Sequence, residues 1–291
     1  MKLSTLFGPF AVCLALTGFL PLVHRRLRPR VSAAVLAANV FWVSLVSVVG
    51  IWFVSLRYLT HVSWLADQLR WCSKVIGVHD QVPVWLGFPA TCLALVGTLR
   101  FARFATVQKK VRSSALTGTS VVPTDEVFAY VLPGRNAATL ISAGLLNRLT
   151  AEETRVVLAH EKAHADCRHD RYLTLARGAD ALVPLMRPLT KRLEFSLERW
   201  ADDAAATAML GDRRLVAHTI AKVALLMTGS SSPALAFSGL GEVARAQHLL
   251  EPTKPSPSLT GIAVASSTLG LGFALYQLHH LQGLINTLCG S

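Results

Sequence analysis

The stretch Thr150–His169, TAEETRVVLAHEKAHADCRH, decides how this chain is read. Thr150 followed three residues later by Glu153 has the form of a capping box, which predicts a helix running from Ala151 to His169. Within it lies His160-Glu161-Lys162-Ala163-His164. Residues four apart on a helix share a face, so both imidazoles can reach one divalent ion with Glu161 beside the bound water. A catalytic zinc takes three protein ligands and keeps a fourth position open, so the pentapeptide is one ligand short. Glu198 can supply it, from Glu198-Arg199-Trp200-Ala201-Asp202 in a second predicted helix over Leu193–Leu210. Asp202, one turn further along the same face, can accept the free ring N–H of a ligand histidine and fix its tautomer. Asp203 competes for that role, and helical spacing from Glu198 favours Asp202. Ala201 and Ala204, Ala205 and Ala206 are small enough to let the two helices approach closely.

The chain has 291 residues, 52% of them hydrophobic, with a mean hydropathy of +0.44, too apolar for an ordinary soluble domain. Four stretches, Leu6–Val23, Val31–Leu56, Val82–Leu99 and Leu259–Leu278, are each near the roughly 20 residues a bilayer span requires. Gly87 and Pro89 interrupt the third, and the fourth is rich in Gly, Ser and Thr, which packed membrane helices tolerate.

The net charge of +12 is distributed in a way that argues against direct nucleic-acid binding. Residues 1–113 carry thirteen Lys or Arg against Asp67 and Asp80 alone, whereas residues 114–258 carry sixteen basic and fifteen acidic residues. The excess flanks the spans: Arg25, Arg26, Arg28 and Arg30 follow the first, and Arg100, Arg103, Lys109, Lys110 and Arg112 follow the third. By the positive-inside rule both groups are cytoplasmic loops of a plasma-membrane protein. Both termini and the loop 57–81 are then external, and residues 114–258 cytoplasmic. A cleaved signal peptide is not expected, because the positive cluster follows the first apolar run instead of preceding it.

The expected architecture is mainly α and multi-pass. Residues 1–113 hold three membrane helices, residues 114–258 a cytoplasmic α+β domain, and residues 259–291 a fourth membrane helix with a short external tail. Ser113–Thr124 reads as a Ser/Thr/Gly linker. Glu126–Leu132 and Ala138–Ser142 read as two strands joined at Pro133-Gly134-Arg135-Asn136, with a short helix over Gly144–Leu149. Leu249–Ser258, with three prolines, reads as a stiff linker into the last span. The external loop has an aromatic and aliphatic stripe that includes Trp64 and Trp71, which suits an interfacial helix. Cys167 lies about 10 Å of helix rise beyond His160, too far to share its ion. Whether Cys72 and Cys289, both on the expected outer side, pair is left open.

The segment Val127–His164, with LISAGLLNRL at 140–149 and VLAHEKAH at 157–164, resembles the membrane-embedded gluzincin peptidases. Within these it resembles the M56 family, antibiotic-sensing signal-transducer proteases of the BlaR1/MecR1 type, more than the M48 (HtpX-like) group. Arg168-His169-Asp170 and the Glu198–Asp202 element fit the same pattern. The resemblance implies an integral membrane zinc metalloendopeptidase that cuts a cytoplasmic protein, either a BlaI/MecI-like transcriptional repressor or itself. The sensor members carry a penicillin-binding domain after the last span. About thirteen residues follow Leu278 here, so β-lactam binding is not implied.

In that chemistry one zinc ion is held by His160, His164 and Glu198, and Glu161 takes the proton from the attacking water and passes it to the leaving amine. Arg199, Arg168 and His169 are all open as donors to the developing oxyanion. A substrate peptide can add as a strand beside Glu126–Leu132. Two other functions stay open: an M48-type protease that removes damaged membrane proteins, and a catalytically silent membrane scaffold.

Overall fold

The computed structural model describes residues 24–60, 82–112, 118–132, 138–228, 239–252 and 256–289, and these are mostly helical with one small sheet. Among the described residues three helices are long and apolar enough to cross a membrane: α1 (Pro29–Leu59), α2 (Val84–Arg112) and α9 (Pro257–Cys289). The expected first span, Leu6–Val23, the loop over 61–81 and the side chains of Cys72 and Cys289 lie outside the described residues. The basic residues Arg100, Arg103, Lys109 and Lys110 sit on α2 itself, not in a loop after a span ending at Leu99, because helix-favouring Arg, Lys, Ala and Gln carry the helix on to Arg112.

Lipid gives apolar side chains little reason to leave it for each other, so membrane helices associate through close packing and hydrogen bonds. Ser55 Oγ donates to Thr91 Oγ1 at 3.1 Å between α1 and α2, and Asn39 Nδ2 donates to Ser267 Oγ at 2.8 Å between α1 and α9. Exposed Trp85, Phe88, Leu93, Val96 and Leu99 on α2 form an apolar surface suited to acyl chains.

The remaining elements are β1 (Gly118–Val122), β2 (Ala129–Leu132), β3 (Ala138–Ser142), α3 (Ala143–Leu146), α4 (Ala151–Asp166), α5 (His169–Leu182), α6 (Arg187–Ala208), α7 (Arg213–Thr228) and α8 (Gly239–Leu250). The strand order is β1-β3-β2, with β3 antiparallel to β2 and parallel to β1. The expected antiparallel pair is present, although its first strand starts at Ala129 and its turn falls outside the described residues. The expected linker holds a strand, β1, because its Thr119-Ser120-Val121-Val122 pairs with buried β3, a tertiary contact that outweighs a flexible composition. The expected proline-stiffened linker is shorter than read, since Leu249 and Leu250 close α8 and Pro257 opens α9.

Helices α5 and α6 do not stand clear of the membrane helices. Leu189, Leu193 and Leu197 of α6 are buried against Ala33, Leu36, Ala37 and Val40 of α1, and Ser196 Oγ lies 2.9 Å from Ser32 Oγ. A Cβ at Gly97 of α2 would lie 2.5 Å from the carbonyl oxygen of Leu182 at the end of α5, so the approach there requires glycine. The N-terminal turns of α1 and the middle of α2 thereby pack against the helices that carry the site.

The capping box of α4 is formed: Glu153 N–H donates to Thr150 Oγ1 at 3.2 Å, and Thr150 N–H donates to Glu153 Oε2 at 2.8 Å. Buried Glu153 also accepts from Lys222 of α7 at 2.6 Å, and that hydrogen bond, with the one from the Thr150 backbone, holds its carboxyl below the ordinary carboxylate range. Its stabilising contribution is complete above the unfolded-state value and lost as pH falls through the depressed one. Thr150→Ala is expected to cost about 1 kcal/mol, measured as a lower thermal midpoint in detergent. In Glu153→Gln the stability difference from wild type should shrink as the pH is lowered into the acid range.

Candidate metal centre

Helices α4 and α6 cross where both carry small or polar side chains, with Ala163, Ala201 and Ala205 buried. Across that crossing His160 and His164 of α4 meet Glu198 of α6, and one ligand atom from each lies within 4.8 Å of the others. The Nε2 atoms of the two histidines are 3.1 Å apart. Glu198 Oε2 lies 3.4 Å from His160 Nε2, and Glu198 Oε1 lies 3.5 Å from His164 Nε2. Ligands about 2.0–2.2 Å from a tetrahedral ion are roughly 3.3–3.5 Å from one another, so this two-nitrogen, one-oxygen set fits zinc. His160 Nδ1 is 3.0 Å from Oδ1 of fully buried Asp202, off the axis of its ring N–H. Asp203 points elsewhere, to Arg213 at 3.1 Å and His248 at 3.7 Å.

The electrostatics follow from placing buried Asp202 and partly exposed Glu198 beside three imidazoles. Burial works against a charge on His160, but Asp202 and Glu198 outweigh it and push its pKa up to about 10. Burial lowers His164 to about 4, with the neighbouring His160 adding to the shift. Burial also opposes ionisation of Glu198 and Asp202, yet Arg245 and His160 hold both below the usual carboxylate range. Glu161, in the same cleft, has its carboxyl raised by burial, and Glu198 adds to the rise. A metal would take over the positive charge that the His160 proton supplies here, so binding should release that proton.

Two further residues complete the arrangement: Arg245, which the sequence did not assign to it, and His169, which the sequence offered only as an oxyanion donor. Arg245 of α8 donates through Nε to Asp202 Oδ2 at 2.8 Å and through Nη2 to Oδ1 at 2.7 Å, a fork on one carboxylate, while its Nη1 lies 3.1 Å from Glu198 Oε2. No sequence signal marks it, because it sits 43 residues beyond Asp202 in a helix that was not foreseen. His169 lies completely buried with Nδ1 2.9 Å from His164 Nδ1, its ring 4.7 Å from that of Trp200. If His164 presents a lone pair on Nε2, its Nδ1–H must donate, so His169 accepts and carries its own proton on Nε2.

The helix expected to run unbroken to His169 ends at Asp166, and α5 restarts at His169 after Arg168 in the left-handed region at φ 54°. That turn folds His169 back onto His164, which straight helical spacing would forbid. Of the three residues considered for the oxyanion, none faces the cleft. Arg168 pairs with Asp170 at 3.2 Å, Arg199 reaches the carbonyl oxygens of His24 and Arg25 at 3.5 and 3.3 Å, and His169 is sealed behind His164.

The cleft holds about 150 Å³ and is bounded by His160, Glu161, Glu198 and Arg245 on one side and by apolar Val216, Ile220, Val223 and Met227 of α7 on the other. Ala129 of β2, the open edge of the sheet, reaches its rim.

Removing Arg245 leaves fully buried Asp202 and partly exposed Glu198 without their cation. Arg245→Leu is expected to destabilise the protein by about 3–5 kcal/mol, seen as a lower thermal midpoint. Asp202→Asn should keep the fold and weaken zinc affinity about 10–100-fold, read by competition with a chromophoric chelator.

Residues 100–233 match peptidase family M48. The chain is 28% identical over 112 residues to the plastoglobule-localized metallopeptidase 48, chloroplastic, of Arabidopsis thaliana, across 35% of this chain and 33% of that protein. It therefore spans about a third of the length of that relative. No solved structure matches. The family match falls on M48, which the sequence reading had placed second, and gives no support to the M56 assignment. It takes in His160, Glu161, His164, Glu198 and Asp202 and leaves Arg245 beyond its end. Residues 100–233 are thus similar in sequence to peptidase family M48, and this supports reading as a metallopeptidase a chain with three helices long and apolar enough to cross a membrane.

Proposed function

We propose that the protein is a membrane-embedded zinc metalloendopeptidase of the M48 kind, cutting polypeptides that reach a cleft beside the bilayer. The observation that carries this reading is the convergence of His160, His164 and Glu198 with Glu161 lining the same cleft. One zinc ion held by those three residues would polarise the scissile carbonyl and acidify the attacking water. Glu161 would take the proton from that water and return it to the leaving amine, a role suited by a carboxyl raised toward neutrality. Asp202 and His169 would hold the ligand imidazoles in the required tautomers, and Arg245 would keep both acidic residues ionised. The free edge of β2 suits an extended substrate through main-chain hydrogen bonds, and the apolar wall of α7 favours an apolar side chain beside the cut.

The match to M48 favours broad handling of membrane or unfolded proteins over cleavage of one repressor. On charge grounds the peptidase region, residues 114–258 with the adjoining ends of α1 and α2, faces the cytoplasm.

Glu161→Gln is expected to retain stoichiometric zinc and lose roughly 10²–10⁴-fold in kcat/KM on an unfolded protein substrate. Full activity in that variant sinks the peptidase reading. Proteins co-purifying with the same variant separate the two substrate classes: many membrane proteins for the M48 reading, one DNA-binding repressor for the other. Because Glu161 must be ionised to act as a base, the acid limb of kcat/KM should lie above the ordinary glutamate value of about 4.3, and a pH profile of the wild type measures it.

A further inference from the structure

Along α6, running from Arg199 toward the N-terminal end of the helix, two adjoining concavities share Arg25 and Phe195 as a common wall. One, of about 490 Å³, is lined by Arg25, Arg26, Arg199 and His248, with Glu251 as its one acidic group. The other, of about 930 Å³, continues along α6 past Arg187, Lys191 and Arg192 and has no acidic lining residue. Six permanent cations therefore face one groove against one carboxylate, an arrangement whose self-repulsion a bound anion would relieve.

Arg199 shows that this is more than a solvated surface. It is 2% exposed, its Nη1 and Nη2 reach the His24 and Arg25 carbonyls, and its buried Nε finds no partner among the described residues. An arginine buried to this degree is ordinarily paired with an acid. Asp203, the nearest acid on its own helix, is engaged by Arg213 and His248 instead. Phe195 gives the groove an apolar floor, with the Arg25 and Arg199 guanidinium carbons 5.5 and 6.0 Å from its ring centroid.

The position of the groove names the ligand. Arg25 and Arg26 stand immediately before Pro29, where α1 begins, and Glu251 stands just before Pro257, where α9 begins. Both helices are candidate spans, so the groove opens where polar headgroups meet the protein. We propose that it binds the phosphate of an anionic phospholipid headgroup. This goes beyond the peptidase reading and stands whether or not the protein cuts anything.

The test uses the full chain in neutral detergent, with native mass spectrometry counting bound phosphatidylglycerol against phosphatidylcholine. Arg25→Ser/Lys191→Ser/Arg192→Ser changes groove residues that are not fully buried, and Arg103→Ser/Lys109→Ser/Lys110→Ser removes the same charge from α2. An unchanged thermal midpoint in detergent verifies that each variant is folded. Wild type should retain phosphatidylglycerol at least tenfold better than phosphatidylcholine. The groove variant should lose at least tenfold of that retention, and the α2 variant should stay within twofold of wild type. Equal losses in both variants, or none in the groove variant, overturn the proposal. So does displacement of the lipid by millimolar inorganic phosphate at the same sites, which would make the groove a soluble-phosphate site.

Discussion

Two carboxylates, Glu198 and Asp202, are held one helical turn apart between helices, and the charge needed to keep them there organises the rest of the molecule. Burying Asp202 alone would cost several kcal/mol, and Glu198 beside it stays partly exposed. The cost is met from both sides: His160 and His164 of α4 approach from one, and Arg245 of α8 forks onto Asp202 while touching Glu198. Positive charge is thus required at this crossing before any ion arrives. The alanines of α6 bring the helices close enough to provide it, and a metal would replace the proton on His160 in a balance already set.

That balance explains why so much of the site could be read in the sequence and where the reading stopped. The i, i+4 pairs His160/His164 and Glu198/Asp202 are local, so helical periodicity places each pair on one face without knowledge of the fold. The capping box at Thr150 fixes where α4 begins and therefore which face those histidines share. Arg245 and His169 escape the same logic. The first arrives from a distant helix with nothing in its surroundings to distinguish it, and the second is brought in by a left-handed residue, Arg168, that no propensity foretells.

The fold shows the same division. The long apolar helices α1, α2 and α9 and the antiparallel strands are visible as runs and alternations, because each meets its surroundings through its own composition. Strand β1 is not, since a Gly-Thr-Ser-Val-Val segment becomes a strand only when β3 is beside it. Helices α7 and α8 were likewise unremarked as texture, yet they build one wall of the cleft and its arginine. The family resemblance carried the same bias. The short motifs His160–His164 and Glu198–Asp202 fitted both the M56 and the M48 reading, so they pointed to the chemistry more firmly than to the group.

Ser32, three residues into the long apolar helix α1, touches Ser196, two residues before Glu198 of the candidate metal centre. Between them Leu189, Leu193 and Leu197 are sealed by α1, and Leu182 meets α2 at Gly97. The candidate metal centre and the long apolar helices are consequently not two parts joined by a tether. Cutting the chain after Arg112 would strip α6 of the wall it leans on and bare that leucine row to water, so the long apolar helices and the helices of the candidate metal centre have to be made and purified as one object.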